Sequence, residues 1–270
     1  MAPPILVTGG SGTLGRLVVS RLRDAGRDVR VLSRTSARLD PGTTVATGDL
    51  MTGDGVELAV SGVETVVHCA GTAAKGDDVK ALTLTRAALA AQVRHLVFIS
   101  VVGADRVPVS SRVDRAMFGY FAFKRAAEQV IEDSGVPFTT LRATQFHQLS
   151  LTTVAAMAKL PIVPVPSGMR FQPVAAAEVA DRIVELTLAE PAGLVDDIAG
   201  PRVYTMDQML RGYLRATSRR RLLVPIRLPG RAAAALRNGA NLAPDRAVGQ
   251  QSWDDFLAKQ LPRHVARLAA

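Results

Sequence analysis

The sequence contains a single cysteine and few aromatic residues. Of its 270 residues only Cys69 is a cysteine, and Phe, Trp and Tyr together contribute 4%. A disulfide within one chain is therefore excluded, and a lone thiol suits a reducing compartment. Cys69 lies in the apolar run 66–70, so we expect a buried structural thiol rather than a nucleophile.

Long hydrophobic runs are also absent. No stretch of about 18 consecutive apolar residues occurs, so we expect no membrane-spanning helix and no membrane partner. Residues 1–4 have neither a basic region nor a long apolar stretch, which argues against a signal peptide. These absences together favour a soluble, cytoplasmic protein.

Lysine is scarce although the chain is strongly basic. The net charge is +9 at pH 7, and the basic residues are nearly all arginine, with one dense run at 219–221. A basic chain can indicate a nucleic-acid partner, but this run lacks the aromatic residues that stack on bases. We interpret most arginines as solvated surface and some as contacts for an anionic ligand, and we expect no nucleic-acid partner.

Short apolar runs alternate with helical patterns through the first 150 residues. Apolar residues at helical spacing follow the first, fourth and fifth runs, at 14–22, 79–91 and 118–132. Strands that alternate with helices predict an α/β fold of Rossmann type, a doubly wound parallel sheet with helices on both faces. The predicted strands cover 5–7, 29–32, the neighbours of Val45, 63–68, 95–99 and 138–141.

A glycine-rich loop follows the first predicted strand. Gly9, Gly12 and Gly15 allow, in turn, a tight turn, the close approach of a pyrophosphate and the packing of a helix on the sheet. Backbone N–H groups at the helix start can then bind phosphates. The loop predicts a dinucleotide site, with an ordinary turn as the alternative. The contacts expected from it are Thr8, Gly9, Gly12, Thr13, Leu14 and Gly15.

The end of the second predicted strand carries no acidic residue. Ser33 and Arg34 lie there, and Arg38 follows about one turn later. A carboxylate at this point would bind the 2′-hydroxyl of NAD, whereas a guanidinium suits the 2′-phosphate of NADP. We therefore expect NADP(H) to be favoured over NAD(H); the alternative is that Arg34 belongs to the solvated surface.

The sequence pattern changes after about residue 150. Pro161, Pro164, Pro166 and Gly168 predict a loop-rich segment, and a helix follows over 175–188. Prolines interrupt the remainder. We expect a dinucleotide-binding core over 1–150, and a mixed C-terminal region over 151–270 that completes the sheet and covers the substrate cleft as a small subdomain.

Four blocks, at 7–15, 48–50, 97–100 and 141–147, resemble the short-chain dehydrogenase/reductase superfamily in its atypical, NmrA-like NAD(P)H-binding branch. The resemblance covers most of 4–190. It implies that Asp49 accepts a hydrogen bond from the adenine amino group and that Leu50 packs on the ring. It places Ser100 beside the nicotinamide ribose. It also assigns cofactor contacts to Ala70 and Gly71 near the adenosine and to Thr144 and Phe146 at the nicotinamide end.

Tyr120 and Lys124 match the pattern Tyr-x-x-x-Lys, and residues four apart share a helix face. A tyrosine has a reference pKa of about 10. We expect the ammonium of Lys124, together with the positive nicotinamide ring, to lower the pKa of Tyr120, so that Tyr120 can protonate a carbonyl oxygen as hydride arrives. Lys124 would also bind the nicotinamide ribose, and Ser100 is the third catalytic candidate. The alternative for Tyr120 is aromatic packing.

One position departs from the superfamily pattern. The substrate-orienting serine or threonine usually lies about two residues beyond the strand-end serine, and here that residue is Val102. The histidines and Cys69 lack metal-ligand spacing, so no metal is expected.

We expect an NADPH-dependent reductase of a small, fairly apolar carbonyl, quinone or enone. Val102 keeps open a non-catalytic NADP(H) sensor with a protein partner, and a cofactor-retaining epimerase or dehydratase is a third possibility.

Overall fold

The computed structural model describes residues 3–35, 43–71 and 76–268, with side chains as far as Leu261. The chain forms two compact units. The first comprises Met1–Asp105, Phe118–Arg142 and Ala176–Asp196, and the second comprises Arg106–Met117, Ala143–Ala175 and Asp197–Ala270. Both units draw on segments before and after residue 150, so the contacts do not follow the expected boundary at that point.

The strands and helices alternate along the chain. The strands are β1 Ile5–Thr8, β2 Val29–Ser33, β3 Thr44–Thr47, β4 Thr65–His68, β5 His95–Val101, β6 Phe138–Ala143, β7 Ile162–Pro166, β8 Arg170–Phe171, β9 Gly193–Leu194, β10 Tyr204–Thr205 and β11 Leu222–Ile226. The helices are α1 Thr13–Asp24, α2 Val56–Val60, α3 Asp77–Ala90, α4 Arg112–Glu132, α5 His147–Met157, α6 Ala176–Thr187, α7 Met206–Ala216, α8 Arg231–Arg237 and α9 Trp253–Leu268.

A seven-stranded parallel sheet forms the centre of the first unit. Its strand order is β3-β2-β1-β4-β5-β6-β9. The chain winds outward from β1 in one direction and then, from β4 onward, in the other. The carboxyl ends of β1 and β4 therefore lie at the point where the strand order reverses, which is where open α/β sheets bind ligands. This confirms the predicted Rossmann-type, doubly wound fold.

Helices cover both faces of this sheet. Residues of α2, α3 and α4 pack with Leu6, Val66 and Leu96 in one buried apolar cluster, and α1 packs against α6. The strands β1 and β5 are buried along their whole length. Because both faces are covered, the central strands are apolar almost throughout, as the sequence predicts.

The second unit contains a two-stranded parallel ribbon where a loop-rich segment was expected. Strand β7 pairs with β11, with Ile162 opposite Leu222. The prediction of a loop is wrong because the prolines of β7 lie where the strand forms no hydrogen bond through its N–H groups. Ser167 N donates to Ile226 O at 2.8 Å, so the N–H groups of odd-numbered residues face β11. Pro164 and Pro166 therefore lack N–H groups only at the unpaired edge, where proline is tolerated.

Candidate functional site

The glycine loop between β1 and α1 is shaped by close backbone contacts. A Cβ atom on Gly9, whose φ is +69°, would lie 2.7 Å from Ala70 N, and one on Gly15 would lie 2.1 Å from Gly9 O. A Cβ on Gly12 would have one atom of the described residues within 4 Å, Gly9 O at 3.2 Å. Protein packing thus explains the first and third glycines, whereas the middle one leaves open space. No side chain caps the start of α1, so its N–H groups fit a phosphate.

Thr8 holds the end of β1 against the end of β4. Its Oγ1 is 2.7 Å from Nδ1 of His68, and Ala70 N donates to the same oxygen at 3.4 Å. The His68 ring stacks on Phe98, and burial lowers the pKa of His68 to about 3. The neutral imidazole therefore acts as a hydrogen-bonding partner, and the Thr8 hydroxyl supports the loop from within. Of the next two predicted contacts, Thr13 is exposed and Leu14 is buried.

The ends of β2 and β3 carry the residues expected near the adenosine. Gly48 N donates to Ser33 O at 3.0 Å, and Ser33 is half-buried. Arg34 is exposed, and its guanidinium forms no ion pair within the described ranges. Asp49 Oδ1 accepts a hydrogen bond from Met51 N at 2.8 Å. The last residue of this group, Leu50, packs in the buried cluster, and Arg38 lies outside the described residues.

Lys124 is buried at the carboxyl end of β5. Its Nζ donates to Ile99 O at 3.3 Å and lies 3.3 Å from Asp77 Oδ2. A Cβ on Gly71 would lie only 2.6 Å from the same Nζ. Gly71 directly follows Ala70, which touches Gly9. The glycine loop and Lys124 are therefore neighbours along one edge of the sheet.

Asp77 is a site residue that the sequence reasoning missed. It begins α3 and is 1% exposed, and its two oxygens lie 3.3 Å from Lys124 Nζ and 3.0 Å from Lys80 Nζ. In the sequence, Asp77 and Asp78 have the appearance of ordinary acidic residues at a helix start. Of the two lysines that contact Asp77, only Lys80 is near it in the sequence, so nothing in the sequence indicated the contact with Lys124.

Tyr120 is half-buried on α4, one turn before Lys124. The Lys124 ammonium faces its ring at 5.9 Å from the centroid. Burial raises the pKa of Tyr120 well above its usual value, and the negative charge of Asp77 raises it further. In the protein alone the pKa of Tyr120 is therefore raised rather than lowered, first by burial and then by Asp77, and the effect of a bound nicotinamide ring stays a prediction. The phenol carries its proton at neutral pH.

Ser100 and Val102 occupy the end of β5 and the residue beyond it. The Oγ of Ser100 is buried and has no hydrogen-bond partner among the described residues, an arrangement that suits a missing ligand. Val102 is fully buried, so this position supplies no hydroxyl. Cys69 is half-buried rather than fully buried as expected, and desolvation raises the pKa of its thiol to about 12, which disfavours the thiolate that a nucleophile needs.

The residues predicted for the nicotinamide end belong to the second unit. Thr144 N donates to Ile198 O at 3.0 Å, while the Thr144 hydroxyl is buried and has no hydrogen-bond partner among the described residues. Phe146 is half-buried and pairs with Val174. The following residue, His147, is fully buried and stacks on Phe256 at 4.9 Å. His147 therefore has a packing role in this unit.

The described residues contain no group of three or more His, Cys, Asp or Glu side chains arranged to hold a metal ion. None of their helices combines the length and the apolar character that crossing a bilayer requires.

Residues 9–191 match a family model described as NAD(P)H-binding. The chain is 31% identical over 208 residues to (4-alkanoyl-5-oxo-2,5-dihydrofuran-3-yl)methyl phosphate reductase of Streptomyces griseus. This match covers 74% of the chain and 69% of that reductase. The chain spans about half or less of the length of seven further curated relatives.

Two solved structures show the same fold. The NADPH-dependent quinone oxidoreductase of Escherichia coli, complexed with NADPH, aligns with a TM-score of 0.80 at 17% identity, over 94% of this chain and 99% of that one. The triphenylmethane reductase of Citrobacter sp. aligns with a TM-score of 0.76 at 18% identity, over 96% and 99%. At these identities the likeness extends to the fold alone.

Proposed function

Because the chain belongs to the NAD(P)H-binding family, we propose that it is an NADPH-dependent reductase of a small, fairly apolar quinone, enone or other carbonyl compound. One observation carries the proposal. The open middle glycine of the loop, the 70–71 segment, and buried Lys124 with the half-buried Tyr120 follow one another along a single edge of the sheet. A phosphate site and a proton donor at one edge are what a nicotinamide-dependent reduction requires.

Arg34 supports the preference for NADPH. It is exposed at the end of β2 without an ion-pair partner in the described chain, and its neighbour Ser33 offers a hydroxyl. A guanidinium binds phosphate oxygens bidentately. In Arg34→Glu we expect the affinity for NADPH to fall at least about tenfold relative to that for NADH. Arg94→Glu, before β5 at the opposite end of the sheet, should leave that ratio unchanged. Fluorescence titration with both dinucleotides measures it.

Tyr120 is the proposed proton donor. Bound NADPH supplies the hydride, and the reduction also requires a proton on the substrate oxygen. The raised pKa keeps the Tyr120 phenol protonated, which suits donation during reduction and disfavours the reverse reaction. Ser100 would donate its unpaired hydroxyl to the same oxygen, and solvent water would return the proton to Tyr120.

The name of one relative supports a conjugated substrate. The relative that is 31% identical is named as a reductase of a 5-oxo-2,5-dihydrofuran, which is an unsaturated lactone. We extend this feature to the present chain, and favour quinones and unsaturated lactones over isolated carbonyls.

NADPH oxidation in the presence of quinones, unsaturated lactones and aldehydes tests the proposal. We expect turnover with conjugated acceptors, and its loss in Tyr120→Phe with NADPH binding intact. Tyr213→Phe, in the second unit, is the matched control and should keep full activity. Equal activity of Tyr120→Phe and the wild type would remove Tyr120 from the mechanism.

Val102 supports a second candidate, a non-catalytic NADP(H) sensor. Its buried apolar side chain occupies the position of the superfamily's substrate-orienting hydroxyl. A sensor would bind NADPH without oxidising it across the whole panel of acceptors. It would also bind a protein partner differently in the reduced and oxidised states of the cofactor.

A further inference from the structure

The second unit contains a cleft lined by five arginines, at the end of α7 and the start of β11. Its volume is about 560 Å³, and no acidic residue lines it. It also lies beyond residue 191, where the match to the family model ends. The arginines that define this arginine cleft are Arg211, Arg215, Arg219, Arg220 and Arg221.

The chain reverses at the end of α7 in a way that brings these arginines together. Ser218 has a left-handed backbone with φ +52°. Ser218 N donates to Arg215 O at 3.1 Å, and Arg219 N donates to Leu214 O at 2.9 Å, which are the two hydrogen bonds of a Schellman turn. The turn carries the 219–221 run back toward Arg215 and Arg211, which share one helix face because they are four residues apart.

Most of the positive charge in the cleft is uncompensated. Arg211 pairs with Asp207 at 2.7 Å, and Arg221 donates to Ala158 O at 2.9 Å. The guanidinium groups of Arg215, Arg219 and Arg220 are exposed and meet no carboxylate within the described ranges. The C-terminus of a helix carries a partial negative charge of about half an elementary charge. The helix dipole therefore compensates only a small part of the positive charge of these guanidinium groups.

We propose that the arginine cleft binds a ligand carrying two or more phosphate groups. Guanidinium forks match phosphate oxygens. The volume lies in the range of small-molecule sites and is too large for one phosphate ion. No aromatic side chain lines the cleft, so it lacks the stacking platform that single-stranded nucleic acids use. The ligand is either a soluble polyphosphate or a set of lipid headgroups.

The test is calorimetric titration of inorganic tripolyphosphate into the wild-type protein and two double variants. The variant Arg219→Gln/Arg220→Gln is compared with Arg227→Gln/Arg231→Gln. Both remove two positive charges, but Arg227 lies at the far end of β11, about 20 Å from Arg221 at 3.3 Å per residue. We expect binding to the wild type, at least about tenfold weaker binding in the first variant, and little change in the second.

A parallel arm uses phosphatidylcholine vesicles that contain phosphatidylglycerol. Vesicle binding lost only in the Arg219/Arg220 variant would identify headgroups as the source of the phosphates, and tripolyphosphate binding without vesicle binding would identify a soluble ligand. Binding of neither probe, or equal losses in the two variants, would overturn the proposal. The proposal would also be overturned if a single-stranded RNA bound more tightly than tripolyphosphate and lost affinity equally in the two variants.

Discussion

Among single residues, Asp77 has the strongest effect on the candidate catalytic pair. Its carboxylate contacts the Lys124 ammonium and raises the pKa of Tyr120 together with burial. Asp77 thus neutralises the cation that would otherwise promote ionisation of the phenol. The consequence is that the Tyr120 phenol stays in its acid form at neutral pH, as the proposed role of proton donor requires.

We predict that Asp77→Asn moves the alkaline limb of the pH profile to lower pH. The phenol is the active form, so turnover falls as the pH rises through the pKa of Tyr120. Removal of the negative charge lowers that pKa, and activity is therefore lost earlier. The measurement is kcat against pH at saturating NADPH. Asp78→Asn, an exposed neighbour on the same helix, should reproduce the wild-type profile, and a matching profile in Asp77→Asn would refute the coupling.

The residues of the site were predictable where the chemistry is local. Gly9, Gly12 and Gly15 lie in one loop, and their spacing specifies their roles. The reach of Lys124 to Asp77 was not predictable, because the two residues are far apart in sequence and meet only through the folded sheet. The raised pKa of Tyr120 was not predictable either, because it depends first on the burial of the side chain and then on Asp77.

At the scale of elements, α4 is fixed to β6 by a buried ion pair. Arg142 binds both carboxylate oxygens of Glu128 at 2.8 Å, and Arg142 Nη1 lies 2.9 Å from Asp105. Glu128 is one turn beyond Lys124 and is fully buried. The ion pair therefore holds the helix that carries Tyr120 and Lys124.

We predict that Glu128→Gln destabilises the protein by about 3 kcal/mol, because a buried charge loses its partner. Glu132→Gln, one turn further on the same helix, removes only a partly exposed contact with Arg125. That control should cost less than about 1 kcal/mol. Urea unfolding of both variants gives the two values. Equal losses would mean that the Arg142–Glu128 pair contributes no more than a surface pair.

The elements were predictable where their patterns are long. The predicted helix over 175–188 corresponds to α6, and the predicted strands to β1–β6. Helix α4 begins at Arg112, six residues before the predicted start. Helix α2 was missed because five residues give too short a periodicity, and β7 was missed because its prolines indicate a loop when the pairing partner is unknown.

At the scale of the whole molecule, the first unit is completed by a segment that returns from late in the chain. The helix α6 packs against α1, and β9 pairs with β6. Residues Val179, Ala180 and Ile183 of α6 are fully buried. The sequence pattern changes near residue 150, so it predicts a boundary there. That Ala176–Asp196 belongs to the first unit follows from its contacts, which composition does not reveal.

We predict that a fragment of residues 1–150 does not fold cooperatively. It retains the glycine loop but leaves the apolar face of α1 uncovered, since α6 is missing. Strong binding of a hydrophobic dye and a broad urea transition are expected. The fragment 1–196 keeps α6 and β9 and should bind less dye. A sharp transition with little dye binding in the shorter fragment would show that α6 is dispensable.

The most direct measurement of the central claim is NADPH binding by Gly12→Val. A Cβ at Gly12 would meet Gly9 O at 3.2 Å and no other atom of the described residues within 4 Å, so we expect the variant to fold after a small shift of the loop. The added side chain would fill the space assigned to the pyrophosphate. We predict that the wild type binds NADPH and that Gly12→Val, still folded, does not. Wild-type affinity in a folded Gly12→Val would contradict the account.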